Sequence, residues 1–375
     1  MDPLPLLQDL VAVNSVNPSL VPGAPGERLV AEVVRKGLEV AGLDVTVEDA
    51  APGRPNVIGL VEGRLPGPAI MFCGHIDTVG VEGMTDPFSP RVAGDRVYGR
   101  GAQDMKGGVA SMIAAAAGLA RTWTRGRLIV AAVADEEHLS LGAEALVRTW
   151  RADMAIVTEP TDLRLAVGHK GFAWLEVEVR GRAAHGSRPQ EGRDAIVHMG
   201  RVLSALEALD RDLQGRPPVA FQGTGSVHAS SIAGGRELSV YPDLCTLQLE
   251  RRTVSGEDAA SVERELAGIL DRIRQADPEF DAGVRSMAYR PAYTVGAGHL
   301  LPKAVAAALE AAGRDPAPTG MSFWTDAAVL AAAGIPAVLF GPGGAGLHST
   351  TEYVNVADLY TCRDVLVRTV QLLSE

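Results

Sequence analysis

Along the first half of the chain, short unbroken apolar runs alternate with longer segments whose apolar positions recur at helical spacing. Pro68 to Cys73 (PAIMFC), Leu128 to Val133 (LIVAAV) and Met154 to Val157 (MAIV) are the apolar runs. Glu27 to Ala41, the small-residue stretch Lys106 to Arg121, and Gly142 to Trp150 read as helices. Apolar runs of this length between helices predict strands buried on both faces, hence a mostly parallel α/β sheet with helices on both faces.

After Gly168 the period changes. Phe172 to Val179 (FAWLEVEV) alternates apolar and polar positions, as expected of a strand with one wet face. Asp194 to Leu213 is amphipathic, Ser226 to Ile232 and Glu237 to Glu250 are strand-like, and Glu257 to Arg274 is a second amphipathic helix. That order predicts a compact α+β module. From about Pro291 the buried style returns, with Pro336 to Phe340 (PAVLF) and a closing helix from Val356 to Leu373. The expected organisation is a discontinuous α/β domain, residues 1–169 and 290–375, interrupted by an inserted α+β domain, residues 170–289.

Composition narrows the function classes. Hydrophobic residues make up 46% and charged residues 22% of the 375 positions, enough apolar material for sizeable cores. Lys and Arg number 35 against 46 Asp and Glu, a net charge of −11, which argues against a large nucleic-acid footprint or an anionic membrane as partner. Cys73, Cys245 and Cys362 are far apart with no CxxC pair, so neither a disulfide framework nor a cysteine zinc site is expected. No apolar stretch approaches the ~20 residues of a membrane span, and the first residues show no basic leader or cleavage site; a cytoplasmic protein is expected.

The chemistry sits where the apolar runs stop. PAIMFC runs into Gly74-His75-Ile76-Asp77, LIVAAV into Asp135-Glu136-Glu137-His138, and MAIV into Thr158-Glu159-Pro160. PAVLF runs into the glycine-rich stretch Gly341 to Gly346, followed by His348. Ligands of open parallel sheets bind at the carboxyl ends of the strands, so these side chains can converge, and Asp104 in the loop before the small-residue helix can join them. Histidines and carboxylates without a thiolate suit a borderline divalent ion such as Zn²⁺ or Co²⁺. Five candidates exceed the needs of one tetrahedral ion with an open position, which points to two ions sharing a carboxylate and a water. Asp77 is placed to accept a hydrogen bond from the other imidazole nitrogen of His75 and fix its tautomer.

Each residue taken alone has a plainer reading: Asp104 as a helix N-cap, Glu136 and Glu137 as solvated residues opening a helix, Glu159-Pro160-Thr161 as a turn. Those readings leave unexplained why all fall at one edge of one sheet. Gly341 to Gly346 lacks the lysine of a phosphate loop and does not open directly onto a helix. Ser322, Thr325 and Asp326 are candidates to line the same pocket, with helix capping the alternative for Thr325 or Asp326.

In this order and spacing the motifs are recognisable. Gly74-His75-Ile76-Asp77-Thr78-Val79, Gly99-Arg100-Gly101 through Asp104-Met105-Lys106-Gly107-Gly108, Asp135-Glu136-Glu137, Thr158-Glu159-Pro160-Thr161, Ala184-His185-Gly186-Ser187-Arg188-Pro189, Glu250-Arg251-Arg252-Thr253 and His348 span nearly the whole chain. The chain resembles the dinuclear-metal aminoacylase and carboxypeptidase family (M20 type) that includes acetylornithine deacetylase and succinyl-diaminopimelate desuccinylase. The resemblance implies two divalent metal ions per subunit, Zn²⁺ or Co²⁺, with His75, Asp104 and Glu159 on one and Asp104, Glu137 and His348 on the other. It implies Glu136 as the general base that takes a proton from the bridging water and later delivers it to the leaving amine.

The resemblance further implies that the inserted domain is a lid that dimerises, with His185 reaching the partner subunit's site to stabilise the oxyanion. Arg252 matches the lid arginine that grips a substrate carboxylate, Arg251 being the alternative one position away. The chain has Ser255-Gly256-Glu257 where the family usually has a Pro-Gly-Glu turn. The expected activity is hydrolysis of the N-acyl bond of a small N-acyl amino acid, acetylornithine deacetylase-like, by a homodimer. Succinyl-diaminopimelate desuccinylation and carboxypeptidase or dipeptidase action are the rivals within the class. A non-catalytic binding protein on the same fold and a phosphate-ester hydrolase are the rivals outside it.

Overall fold

The computed structural model describes residues 1–296 and 298–374. The chain divides into two compact units, one of Met1–Gly168, Val295–Thr319 and Thr325–Glu375, the other of His169–Thr294 and Gly320–Trp324.

In the first unit the four apolar runs are adjacent parallel strands, in the order Arg125–Val133, Leu65–His75, Met154–Val157, Ala337–Leu339. Every residue from Leu128 to Val133 and from Met154 to Val157 is buried, which requires cover on both faces. One group of helices, Pro3–Val11, Arg28–Val40, Gly107–Ala120, Leu300–Ala311 and Val356–Ser374, packs together against the sheet. A second group, Leu141–Thr149 and Ala327–Ala332, packs as a pair against the same strands. The sheet is extended by an antiparallel hairpin, Asp44–Ala51 and Arg54–Glu62, which the apolar pattern did not signal. Its outer strand keeps charged and exposed positions along its length, so it carries neither a buried run nor a clean alternation.

Close packing explains the small residues of Gly107–Ala120. A Cβ on Gly108 would stand 1.9 Å from the carbonyl oxygen of Thr158, so the helix can lie against the Thr158 turn only with glycine there. A separate small antiparallel sheet, Gly344–Ala345, Tyr353–Asn355, Arg96–Tyr98 and Arg91–Ala93, ties the segment around His348 to the loop that starts at Gly99.

The second unit is an antiparallel sheet in the order Ser226–Gly234, Leu244–Thr253, Gly171–Arg180, Asp281–Arg290. Helices Ala195–Gly215 and Ala259–Ala276 pack on the face that carries Ala173, Leu175, Val177 and Val179, as the period-two pattern requires. Asp194 caps the first helix through the N–H groups of Ile196 and Val197, and Asp258 with Ser261 forms a capping box on the second. The strand expected from Glu237 begins only at Leu244. Residues 239–241 turn instead to pair with residues 184–186: Gly186 donates to the Ser239 carbonyl at 2.7 Å and Tyr241 to that of Ala184 at 2.9 Å.

Candidate metal centre

The exits of the parallel strands do meet. His75 is the last residue of its strand, Glu136 and Glu137 follow Arg125–Val133, Glu159 follows Met154–Val157, and His348 lies beyond Ala337–Leu339. Asp104 sits in a kinked turn, Ala102–Lys106, with extended backbone angles (φ −114°, ψ 97°), and the helix Gly107–Ala120 begins only after Lys106, so Asp104 is not its N-cap. Two sets of ligand atoms result, each with all members within 4.8 Å of one another: His75, Asp104, Glu159, and Asp104, Glu137, His348. Asp104 belongs to both. Its Oδ1 lies 3.1 Å from His75 Nε2 and its Oδ2 lies 3.4 Å from His348 Nε2, so its two oxygens point to different sets. His348 Nε2 is also 3.1 Å from Glu137 Oε2.

Electrostatics favours a cation here. Burial pushes the carboxyls of Glu136 and Glu159 well above the ordinary carboxylate range; the charge of Glu159 adds to the rise at Glu136, and that of Asp104 to the rise at Glu159. Glu137 is raised by burial and by the charge of Asp104. For Asp104, burial acts upward, but hydrogen bonds from His348 and His75 outweigh it and hold the acid below its usual range. The same contacts raise His348 to about 10, Asp104 first and Glu137 second. Four buried or half-buried carboxylates against two imidazoles are a negative cluster that positive charge would relieve. With borderline nitrogen and hard oxygen donors, the residues fit one or two divalent ions of the zinc type.

The structure assigns the Asp77 carboxylate more work than one imidazole contact. His75 Nδ1 lies 3.0 Å from the Asp77 backbone carbonyl and 3.5 Å from its carboxylate, so the carbonyl is the nearer acceptor for Nδ1–H and the ring is oriented with Nε2 toward Asp104. The carboxylate oxygens accept the backbone N–H groups of Glu136 at 3.2 Å and Glu137 at 3.3 Å. One side chain thereby sets the backbone from which two adjacent carboxylates leave in different directions, with Glu136 Oε2 at 3.9 Å from His75 Nε2 and Glu137 toward His348.

Glu352, which the motifs did not single out, has a comparable task. It is buried and ion-paired to Arg100 at 2.6 Å, and it accepts the backbone N–H groups of Gly101 and Gln103 at 2.9 Å and of Asp104 at 3.1 Å. A lone glutamate before a two-residue aromatic-aliphatic pair gives no sequence signal; its spacing of four from His348 is the only hint. Lys106, the one lysine among the motifs, points elsewhere. Its ammonium donates to the carbonyls of Leu10 and Val13 at the end of the first helix, and burial pulls it down to about 7. Thr325 Oγ1 accepts from the N–H of Ala327, the first residue of the helix Ala327–Ala332. The glycine-rich stretch packs tightly on the Glu159 turn: a Cβ on Gly341 would stand 2.2 Å from the Glu159 carbonyl.

In the second unit His185 is exposed, and its Nδ1 takes the Ser187 N–H at 3.2 Å and lies 2.8 Å from the Ser187 hydroxyl, leaving Nε2 as the free donor. Arg251 is buried and committed to Glu257 (2.6 Å) and Glu265 (3.1 Å). Arg252 lies on the sheet face away from the helices, its side chain 30% exposed, paired with Glu250 at 2.7 Å and stacked over Phe172. Of the two arginines, only Arg252 has a surface to offer.

Comparison with known proteins agrees with the motifs. The chain is 33% identical to acetylornithine deacetylase of Myxococcus xanthus over 389 residues, covering 98% of each. It is 27% identical to succinyl-diaminopimelate desuccinylase of Cereibacter sphaeroides over 391 residues, again 98% of each. A solved Bacillus subtilis protein, described as a dinuclear metal binding peptidase from the M20 family, shares the fold with a TM-score of 0.75 at 17% identity, covering 100% of this chain and 98% of its own. The family described as Peptidase family M20/M25/M40 matches residues 71–372. With its mostly parallel α/β sheet and this match over most of its length, the chain belongs to peptidase family M20/M25/M40, hydrolases of amide and peptide bonds.

Proposed function

We propose that the protein is a dinuclear-metal amidohydrolase that removes the acyl group of an N-acyl amino acid, with an acetylornithine deacetylase-like substrate. The observation that carries the reading is Asp104, whose two oxygens face two separate ligand sets beside an uncommitted, high-pKa Glu136. His75, Asp104 and Glu159 would hold one ion and Asp104, Glu137 and His348 the other, Zn²⁺ or Co²⁺. When bound, the ions polarise the acyl carbonyl and make water acidic enough to attack near neutral pH.

The chain's own residues supply the rest. Glu136 takes one proton from the attacking water onto its carboxylate and passes it to the amide nitrogen, so that the C–N bond breaks to a carboxylic acid and a free amine. His185, with Nε2–H presented, donates to the developing oxyanion, and Arg252 receives the substrate carboxylate with its planar fork. Supply of His185 from a partner subunit makes the working form a homodimer. The edge strand Ser226–Gly234, exposed from His228 onward with Ile232 53% exposed, supports pairing through the second unit.

The test is steady-state hydrolysis by the Zn²⁺- or Co²⁺-loaded protein of N-acetylornithine, other N-acetyl amino acids, N-succinyl-diaminopimelate and dipeptides. Dominance of an N-acetyl amino acid in kcat/KM is the expected result. Dominance of the succinylated substrate or of dipeptides would overturn the deacetylase reading in favour of a desuccinylase or peptidase.

A further inference from the structure

Behind Asp77 lies a buried polar network built by Asn17, Arg54 and Glu27, which none of the chemistry-bearing motifs includes. Asn17 is fully buried, and its amide nitrogen donates to Asp77 Oδ2 at 2.7 Å and to Asp135 Oδ1 at 3.1 Å. Its amide oxygen accepts from Arg54 Nη2 at 3.1 Å and from the N–H of Ser19 at 2.9 Å. All the strong hydrogen-bonding capacity of one side chain is therefore used, and the amide has one possible orientation: reversed, it would set its carbonyl against two carboxylates. Arg54 in turn grips Glu27 through two bonds of 2.5 Å and reaches Asp135 Oδ1 at 2.9 Å. Glu27, Asp77 and Asp135 are each wholly buried.

The charges of this network do not balance. Arg54 is the only cation within it, and it faces Glu27 and Asp135, which leaves Asp77 held by neutral donors alone on this side: Asn17 and the N–H groups of Glu136 and Glu137. A buried carboxylate held by directed N–H groups keeps its position and its charge. We infer that Asn17, backed by Arg54, is a positioning residue for the metal centre: it fixes the Asp77 carboxylate and, through it, the backbone that aims Glu136 and Glu137. Asp135 serves the same end from the other side, since its left-handed backbone (φ 68°) turns the chain just before Glu136 and its side chain is clamped by Asn17 and Arg54.

This inference rests on the proposed metal centre, and the test separates the two. Zn²⁺ affinity of the full-length protein is measured by chelator competition, alongside kcat and KM at saturating Zn²⁺, for wild type, Asn17→Ala, Arg54→Lys, Asp77→Ala and the double variant Asn17→Ala/Asp77→Ala. Loss of an outer hydrogen-bond partner costs about 10–100-fold in metal affinity or turnover. Asn17→Ala is expected to lose that much, in affinity and kcat rather than in KM, and Arg54→Lys less in the same direction. In the Asp77→Ala background, Asn17→Ala is expected to cost less than it does alone, the remainder being its hold on Asp135. Wild-type affinity and kcat in Asn17→Ala and Arg54→Lys, or full additivity in the double variant, would overturn the inference. A wild type that binds Zn²⁺ yet hydrolyses no N-acyl amino acid would overturn the proposed substrate and leave the affinity comparison to decide the role of Asn17.

Discussion

Glu352 and Asp104 are 248 positions apart, yet Glu352 Oε1 accepts the backbone N–H of Asp104 at 3.1 Å. Asp104 is the one residue common to both ligand sets, and its backbone is thus held by a side chain from the segment that also presents His348. The pair links ligands of one set across most of the chain length.

Replacing Glu352 with Gln should therefore weaken the centre although Glu352 is no ligand. Glutamine turns one accepting oxygen into a donor facing N–H groups, and it abandons the ion pair with Arg100. A loss of about 10–100-fold in Zn²⁺ affinity is expected by chelator competition. Unchanged affinity would show that the small sheet alone holds the loop.

Glu136→Gln should keep both ions and lose turnover by about 10²–10⁴-fold, the usual worth of a positioned proton-transfer group. Metal analysis beside single-turnover kinetics distinguishes this from a collapsed site. Retained turnover would remove Glu136 from the mechanism.

Subunit mixing tests the role given to His185. A heterodimer of His185→Ala and Glu136→Gln chains has one site with both residues intact if His185 acts in the partner's site, and none if it acts in its own. Recovered activity in the mixture, above either parent, is expected. A mixture no more active than its parents would assign His185 to its own subunit or to no catalytic role.

His169 provides a pH dependence that can be signed in advance. It is fully buried, its Nδ1 donates to the Lys170 carbonyl at 2.8 Å, and burial pulls it down to about 4 from an ordinary 6.5. The unfolded chain takes up this proton below about 6.5 while the folded chain refuses it until about 4. Its contribution is thus complete above pH 6.5 and lost as pH falls from 6.5 to 4, a span worth about 3 kcal/mol. Urea unfolding of wild type and His169→Gln across that range should show the steeper fall in wild type. Equal slopes would mean that His169 is protonated in the fold.

Gly108→Ala should destabilise by about 3 kcal/mol or more, since the added methyl meets the Thr158 carbonyl at 1.9 Å and either the helix or the turn beside Glu159 must move. A thermal shift of less than a degree would show that the helix can slide without cost.

The candidate ligands were legible because the physics that buries a parallel strand also ends it abruptly. PAIMFC, LIVAAV and MAIV each stop at the polar residue that the sheet edge presents, so the apolar run indexes the chemistry that follows. Asp104 was placed by its motif, but its extended backbone was not, because that geometry depends on Glu352 from a distant segment. Asn17 and Arg54 were invisible for a related reason: each lies outside the apolar runs, and their meaning comes only from the carboxylates they meet. The late start of the strand at Leu244 follows from Pro242 and from pairing with residues 184–186, a contact that alternation alone does not encode.

The first unit is assembled from three stretches of chain, and this orders events during synthesis. Residues His169–Thr294 leave the ribosome as the greater part of a self-contained antiparallel unit before the stretch carrying His348 and Glu352 exists. Until the last described helix, Val356–Ser374, docks on Gly107–Ala120, where Ser111 donates to the Leu359 carbonyl at 3.2 Å, Asp104 lacks the Glu352 carboxylate that holds its backbone, and one candidate ligand set also lacks its histidine. Under the proposed two-ion centre, neither ligand set is therefore ready for its ion until the stretch carrying His348 and Glu352 has been made.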